Sequence, residues 1–132
     1  MATTTATLTL SSADLTGDAL ALSTTATLVK AGTVTGLTQF TGVGRKTRTT
    51  TAQLTLFDGD QYANGSHKVY LRNTSTVATE FFTIEINSEQ MGKLYAGDWA
   101  FFPWSSHDAD NDIKIDPSAD SMTLEYMLFT DE

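Results

Sequence analysis

Threonine occupies 24 of the 132 positions in the chain, and apolar residues alternate with it through short runs. The runs end at clusters of glycine, asparagine, aspartate and serine, which are residues that favour turns. Threonine and the other β-branched and aromatic side chains fit a pleated, half-buried surface better than they fit a helix. This combination restricts the chain to strands and turns along most of its length.

Alternation of apolar and polar residues predicts where the strands lie. Residues 42–48 interrupt the pattern and are predicted to form an exposed loop. The predicted strands cover residues 4–10, 20–29, 34–40, 49–57, 67–73, 80–87, 99–104, 111–116 and 122–129. Of these, 67–73 and 80–87 are expected to form a hairpin-like pair. We predict a single all-β domain over residues 1–132, with about eight or nine strands whose spacing fits an antiparallel β-sandwich or barrel.

Charge is unevenly distributed along the chain, which has no cysteine and a net charge of −8. Residues 30–72 carry a net +4, whereas residues 73–132 carry a net −10. An acidic protein repels the phosphate backbone, so we expect no nucleic-acid partner. No leader sequence is visible and no apolar run approaches the roughly 20 residues of a membrane span, so we expect no membrane partner.

Two segments have the character of contact elements. Residues 1–10 form an alternating terminal strand, and Leu8 and Leu10 on its apolar face would contact a partner if the strand added to a neighbouring sheet. The cations Arg45, Lys46 and Arg48 lie between a glycine and a threonine run. They predict an electrostatic contact with an acidic neighbouring subunit, and the alternative is a solvated loop.

Aromatic residues are concentrated between positions 99 and 104. Alternation places Trp99 and Phe101 on one face of the strand, with Ala100 and Phe102 on the other. One face must belong to the core, and the other is expected to anchor a neighbouring subunit, with Trp104 as a contact residue. The alternative is a surface on which exposed aromatic rings stack against sugars.

An acidic segment follows the aromatic strand. Asp108, Asp110 and Asp112 alternate and could offer several oxygen ligands to Ca²⁺. The segment does not match an EF-hand, because Ile113 stands where glycine is required and Ala119 where glutamate is required. The alternative interpretation is a solvated acidic turn. Apart from this calcium, we expect no cofactor.

Catalytic motifs are missing from the sequence. There is no cysteine nucleophile, and His67 and His107 are the only histidines. No Gly-x-Ser-x-Gly motif supports a serine nucleophile, and no glycine-rich phosphate-binding loop is present. We therefore predict that the protein is not an enzyme.

The second half of the chain resembles small jelly-roll virion proteins of tailed bacteriophages. The resemblance depends on the order of apolar strands, small-residue turns and an aromatic strand. The segments that carry it are Val-Tyr-Leu-Arg-Asn (69–73), 81–86, Tyr-Ala-Gly-Asp (95–98), 99–104, 112–116 and Leu-Glu-Tyr (124–126). Within that group the pattern is similar to accessory capsid proteins, known as cement or decoration proteins.

The resemblance implies a function at the outer surface of a phage capsid. A protein of this kind stabilises the shell by bridging subunits of the major capsid protein, and it acts as a homo-oligomer, with a trimer favoured. Two alternatives remain open from the sequence. One is a tail, baseplate or fibre subunit of the same kind of particle, and the other is a carbohydrate-binding module.

Overall fold

The computed structural model describes residues 3–15, 17, 19–37, 39–62, 65–106 and 111–130. These residues form antiparallel strands and the 3₁₀ turn Gly59–Gln61, with no α-helix among them. The all-β, antiparallel fold is confirmed, with eleven strands in place of the predicted eight or nine. The strands are β1 Thr4–Ser12, β2 Leu20–Leu28, β3 Gln39–Phe40, β4 Gly44–Arg48, β5 Leu54–Phe57, β6 Ser66–Asn73, β7 Phe81–Ile86, β8 Glu89–Tyr95, β9 Trp99–Ser105, β10 Ile113–Pro117 and β11 Met122–Thr130.

Internal contacts divide the chain into two compact units, Met1–Thr38 and Gln39–Glu132, where the sequence predicts one domain. The smaller unit contains β1 and β2, which pair antiparallel along all nine residues of each strand. The larger unit contains β3 to β11. No linker-like composition marks the boundary, so no local pattern indicated the division.

The larger unit is a sandwich of two antiparallel sheets. The small sheet has the order β5-β10-β7-β8, and the large sheet has the order β3-β11-β6-β9, with β4 also paired to β11. Inward-facing side chains of both sheets meet in one core, and its buried members are Phe57, Val69, Leu71, Phe82, Ile84, Leu94, Trp104, Ile113, Ile115, Met122, Leu124 and Leu128. Each such side chain contributes about 1.5–3 kcal/mol on burial, so the core holds the sheets together. The jelly-roll connectivity stays a prediction.

Asn73 ends β6 and links the large sheet to the small one. Its side chain is buried, and its amide nitrogen donates to the backbone carbonyls of Leu94 at 2.9 Å and Glu80 at 3.3 Å. Its side-chain oxygen accepts from the backbone amide of Ser75 at 2.9 Å. The chain crosses between the sheets here, so β6 and β7 do not pair, and the predicted hairpin is wrong.

The loop predicted over residues 42–48 is also wrong, because β4 lies within it and pairs with β11. An edge strand keeps charged side chains in solvent, so its sequence looks like that of a loop. Gly44 begins the strand beneath the ring of Tyr126. A Cβ atom at this position would lie 2.6 Å from Tyr126 Cζ, which explains the glycine.

Two predicted strands are shorter than their alternation suggests. Of the described residues within 34–40, only those of β3 form a strand. The backbone amide of Lys30 donates to the carbonyl of Thr35 at 2.8 Å and closes a turn earlier in the chain. Of residues 49–57, only β5 is a strand. The threonine run before β5 bends instead of pairing, so β-propensity alone extended both predictions too far.

Candidate interaction surfaces

The β1–β2 ribbon has two chemically different faces. The strands are in register and side chains alternate, so the leucines of both strands lie on one face and most hydroxyl side chains lie on the other. On the hydroxyl face, Thr7 Oγ1 lies 2.8 Å from Thr25 Oγ1. On the leucine face, Leu10 is opposite Leu22, and the two side chains are 44% and 46% exposed. Leu8, the other predicted contact leucine of β1, is half-buried on this same face.

The edges of the ribbon are unprotected. Neither strand contains a charged residue or a proline, the residues that normally block edge pairing. In the described part of the chain the ribbon is a two-stranded sheet, so the outer edge of each strand has no ladder partner there. An isolated two-stranded ribbon is marginally stable in water. The ribbon would therefore be stabilised by an added strand or by an apolar surface against its leucine face.

The three cations predicted to form one basic contact lie on β4 but face opposite sides of it. Arg45 faces away from the core, and its Nη2 atom lies 3.2 Å from Glu125 Oε2. Alternation places Lys46 and Arg48 on the other side of the strand. Arg48 Nη2 donates to the backbone carbonyl of Ala52 at 3.0 Å, so this cation is used within the chain. The predicted cluster is thus divided between two sides of the strand.

Glu125 connects two strands on the side of the large sheet that faces away from the core. The Tyr70 hydroxyl donates to Glu125 Oε1 at 2.9 Å, and the Arg45 guanidinium donates to Oε2. The hydrogen bond from Tyr70, and then the one from Arg45, holds the pKa of Glu125 below its usual value. Burial, followed by the bond to Glu125, raises the pKa of Tyr70. At neutral pH this carboxyl is ionised and the phenol is protonated.

The side chains of the aromatic strand β9 point alternately to two faces, as predicted, but Trp104 lies on the buried face. Trp104 is 2% exposed, and its Nε1 atom donates to the Asn111 carbonyl at 2.8 Å. Trp104 shares the inward face with Ala100. The expectation that Trp104 contacts a partner is therefore wrong, because Trp104 is a core residue. The exposed aromatic side chains of β9 are Trp99, at 53%, and Phe101, at 36%.

Sequence reasoning missed two further aromatic residues at the surface of the large sheet. Phe40 in β3 is opposite Phe129 in β11, and their ring centroids are 5.9 Å apart. Phe101 lies edge-on to Phe129, with centroids 6.5 Å apart. The alternation of side chains along the last strand would have placed Phe129 on the outward face. The three rings meet only through strand pairing, so no local pattern indicated the cluster.

The predicted calcium site lies mostly outside the described residues, because Asp108 and Asp110 are not among them. Asp112 is described, and its Oδ1 atom accepts a hydrogen bond from the Gly59 backbone amide at 2.8 Å. Among the described residues, no group of three or more histidine or acidic side chains is placed to hold a metal ion. Calcium binding by Asp108, Asp110 and Asp112 stays a prediction.

His67 and Ser106 form a buried hydrogen-bonded pair, with Nε2 and Oγ 2.6 Å apart. The rings of Tyr62 and Trp104 lie 5.9 Å and 5.7 Å from the imidazole. A serine–histidine pair is the arrangement that activates a nucleophile, but a catalytic hydroxyl must be open to its substrate. Both side chains are buried here, where they pack against these aromatic rings.

Comparison of the chain with protein-family models, with curated protein sequences and with solved structures finds no match in any of the three. Across the described ranges, no helix has the length and apolar character needed to cross a membrane. The function must therefore be inferred from the surfaces described above.

Proposed function

We propose that this chain is a structural protein of a virus particle. It is a cement or decoration protein that binds the outer surface of a tailed-bacteriophage capsid and bridges subunits of the major capsid protein. It acts by occupying surface and catalyses no reaction. The observation that carries the proposal is the β1–β2 ribbon, because its leucine face and its uncharged edges are exposed.

The ribbon supplies binding energy in two ways. Its free edges can pair with a strand of a coat subunit, and its leucine face can be covered at the same time. Leu10, Leu20 and Leu22 are each about half exposed, so covering them contributes roughly 1 kcal/mol per side chain. The cost of association offsets much of this gain, so a single copy binds weakly. A homo-oligomer, with a trimer favoured, would hold several ribbons on one shell and bind more tightly.

The resemblance of the second half of the chain to accessory capsid proteins supports the same function. The all-β architecture agrees with it at the level of fold class. The exposed side chain of Lys46 offers a second contact to an acidic coat surface. Arg45 and Arg48 are each bonded within the chain, Arg45 to Glu125 and Arg48 to the Ala52 carbonyl, so we expect Lys46 to contribute most to this contact.

A pair of matched double variants tests the ribbon directly. Leu10→Lys with Leu22→Lys places two charges on the leucine face, and Thr9→Lys with Ser23→Lys places the same two charges on the hydroxyl face. Each variant is mixed with particles that lack this chain, and occupancy is measured after sedimentation. We expect the first variant to lose binding and the second to keep it. Equal occupancy for both would contradict the proposal.

Composition of purified particles separates the shell from the tail. Quantitative mass spectrometry should find this chain at a copy number comparable with that of the major capsid protein. A copy number far below the coat protein would place it in a tail, baseplate or fibre. Absence from particles would refute the virion role.

Deleting residues 2–10, which removes most of β1, should abolish binding while the sandwich stays folded. Unchanged occupancy on particles would count against the ribbon as the contact.

A further inference from the structure

The side of the large sheet that faces away from the core carries a cluster of large apolar side chains, here called the aromatic face. Strand pairing assembles it from β3, β6, β9 and β11, and its members are Phe40, Tyr70, Trp99, Phe101, Met127 and Phe129. Phe40 is 62% exposed, and Trp99 and Phe101 also reach solvent. Isolated exposed apolar residues need no explanation, but a contiguous aromatic patch marks a contact surface.

The aromatic face has the opposite charge to the rest of the chain. Among the described residues, the charged side chains on this side of the sheet are those of Arg45, Lys68 and Arg72 and the carboxylate of Glu125. Three cations and one carboxylate give a local formal charge of +2 on a chain whose net charge is −8. The remainder of the chain is therefore strongly acidic. A basic face on an acidic protein is complementary to an acidic partner.

Composition and size match a protein–protein interface. The centres of such interfaces are enriched in aromatic residues, methionine and arginine, which are the residue types found here. This side of the sheet is four strands wide, because β3 and β4 lie at different positions along the same edge of β11. At about 4.8 Å spacing and a length of about 25 Å, it covers roughly 500 Å² in projection. Side-chain relief increases this area towards the roughly 800 Å² that each partner contributes to a standard interface. A single sugar or small ligand would cover only part of it.

We infer that the aromatic face binds an acidic surface of a second copy of this chain. A second copy is always present at equal concentration, and outside its own aromatic face it carries the required negative charge. Pairing one aromatic face with another would bring like charges together, so the contact is head-to-tail. Contacts of this kind close into rings when the rotation allows it. The inference does not depend on the virion role, because it concerns the free protein.

Sedimentation velocity of the full-length chain over a range of concentrations tests the inference. We expect an oligomer that dissociates as salt is raised, since screening weakens complementary charges. Trp99→Ser should raise the dissociation constant roughly 10-fold to 100-fold, as for a central interface aromatic. Arg72→Glu should also weaken the oligomer. Matched substitutions on the small sheet, Tyr95→Ser and Lys114→Glu, leave the aromatic face intact and keep the rest of the chain acidic, so they should not weaken the oligomer.

Circular dichroism checks that each variant is folded, and the exposed Arg72→Glu keeps the test valid if Trp99→Ser is unstable. A chain that stays monomeric at its highest soluble concentration in low salt would overturn the inference, leaving the face to another partner such as a sugar. An oligomer that the Trp99 and Arg72 variants do not weaken would overturn it too. Loss of the oligomer only on Leu10→Lys with Leu22→Lys would assign assembly to the ribbon and also contradict it.

Discussion

Replacing Trp104 by alanine tests whether this side chain belongs to the core. Trp104 is buried, its ring centroid lies 5.9 Å from that of Phe57 and 5.7 Å from that of Tyr62, and its Nε1 atom donates to the Asn111 carbonyl. Truncating a buried tryptophan costs about 3–5 kcal/mol. Losing the hydrogen bond adds about 1 kcal/mol. We therefore expect the free energy of unfolding to fall by about 4–6 kcal/mol, a large share of the about 5–15 kcal/mol typical of proteins.

Trp99 provides the matched control, because it lies on the same strand and faces solvent. At a protein concentration at which the chain is monomeric, Trp99→Ala should lower the free energy of unfolding by less than about 1 kcal/mol. Urea unfolding followed by far-ultraviolet circular dichroism measures both variants, since this signal comes mainly from the backbone rather than from the deleted indole. The reasoning is refuted if Trp104→Ala costs less than about 1 kcal/mol, or if Trp99→Ala costs as much as Trp104→Ala.

Two further predictions concern the large sheet. Gly44→Ala places a Cβ atom 2.6 Å from Tyr126 Cζ and should lower the free energy of unfolding in urea by about 1–3 kcal/mol. In the control Gly92→Ala, the new Cβ atom meets nothing within 4 Å, and stability should change by less than about 1 kcal/mol. Equal losses in the two variants would contradict this expectation. Tyr70 helps to lower the pKa of Glu125 in the folded state. At pH values above the usual pKa of 4.5, the ionised Glu125 therefore stabilises the fold, and this stabilisation is lost as the pH falls through the folded-state pKa. The stability difference between wild type and Glu125→Gln should therefore shrink on acidification, and a difference independent of pH would argue against the network.

Strands β6, β7, β9, β10 and β11 were predictable because each has one face in the core and one in solvent, whereas β8 is exposed along most of its length and was not predicted. An arrangement with one buried face imposes a period of two on β6, β7, β9 and β11, and the apolar positions can be read directly. The same alternation correctly separated Trp99 and Phe101 from Ala100 and Phe102. It did not identify which face was buried, and this is why Trp104 was expected at the surface.

Features that depend on pairing between distant strands could not be predicted. Arg45 and Glu125 are 80 positions apart, and Phe40 and Phe129 meet only because β3 and β11 are neighbours. Strand order is set by how whole sheets pack, so no local spacing indicates it. Edge strands add a second difficulty, since their exposed cations give β4 the composition of a loop.

Amide hydrogen exchange of β1 and β2, measured in the free chain and on particles, tests the central claim most directly. A ribbon that requires another chain should exchange quickly when free, while β6 and β11 in the sandwich stay protected. On particles, protection should rise throughout β1 and β2 and change little in β6. A ribbon that is already as protected as the sandwich in the free chain, or one whose exchange does not slow on particles, would contradict the account.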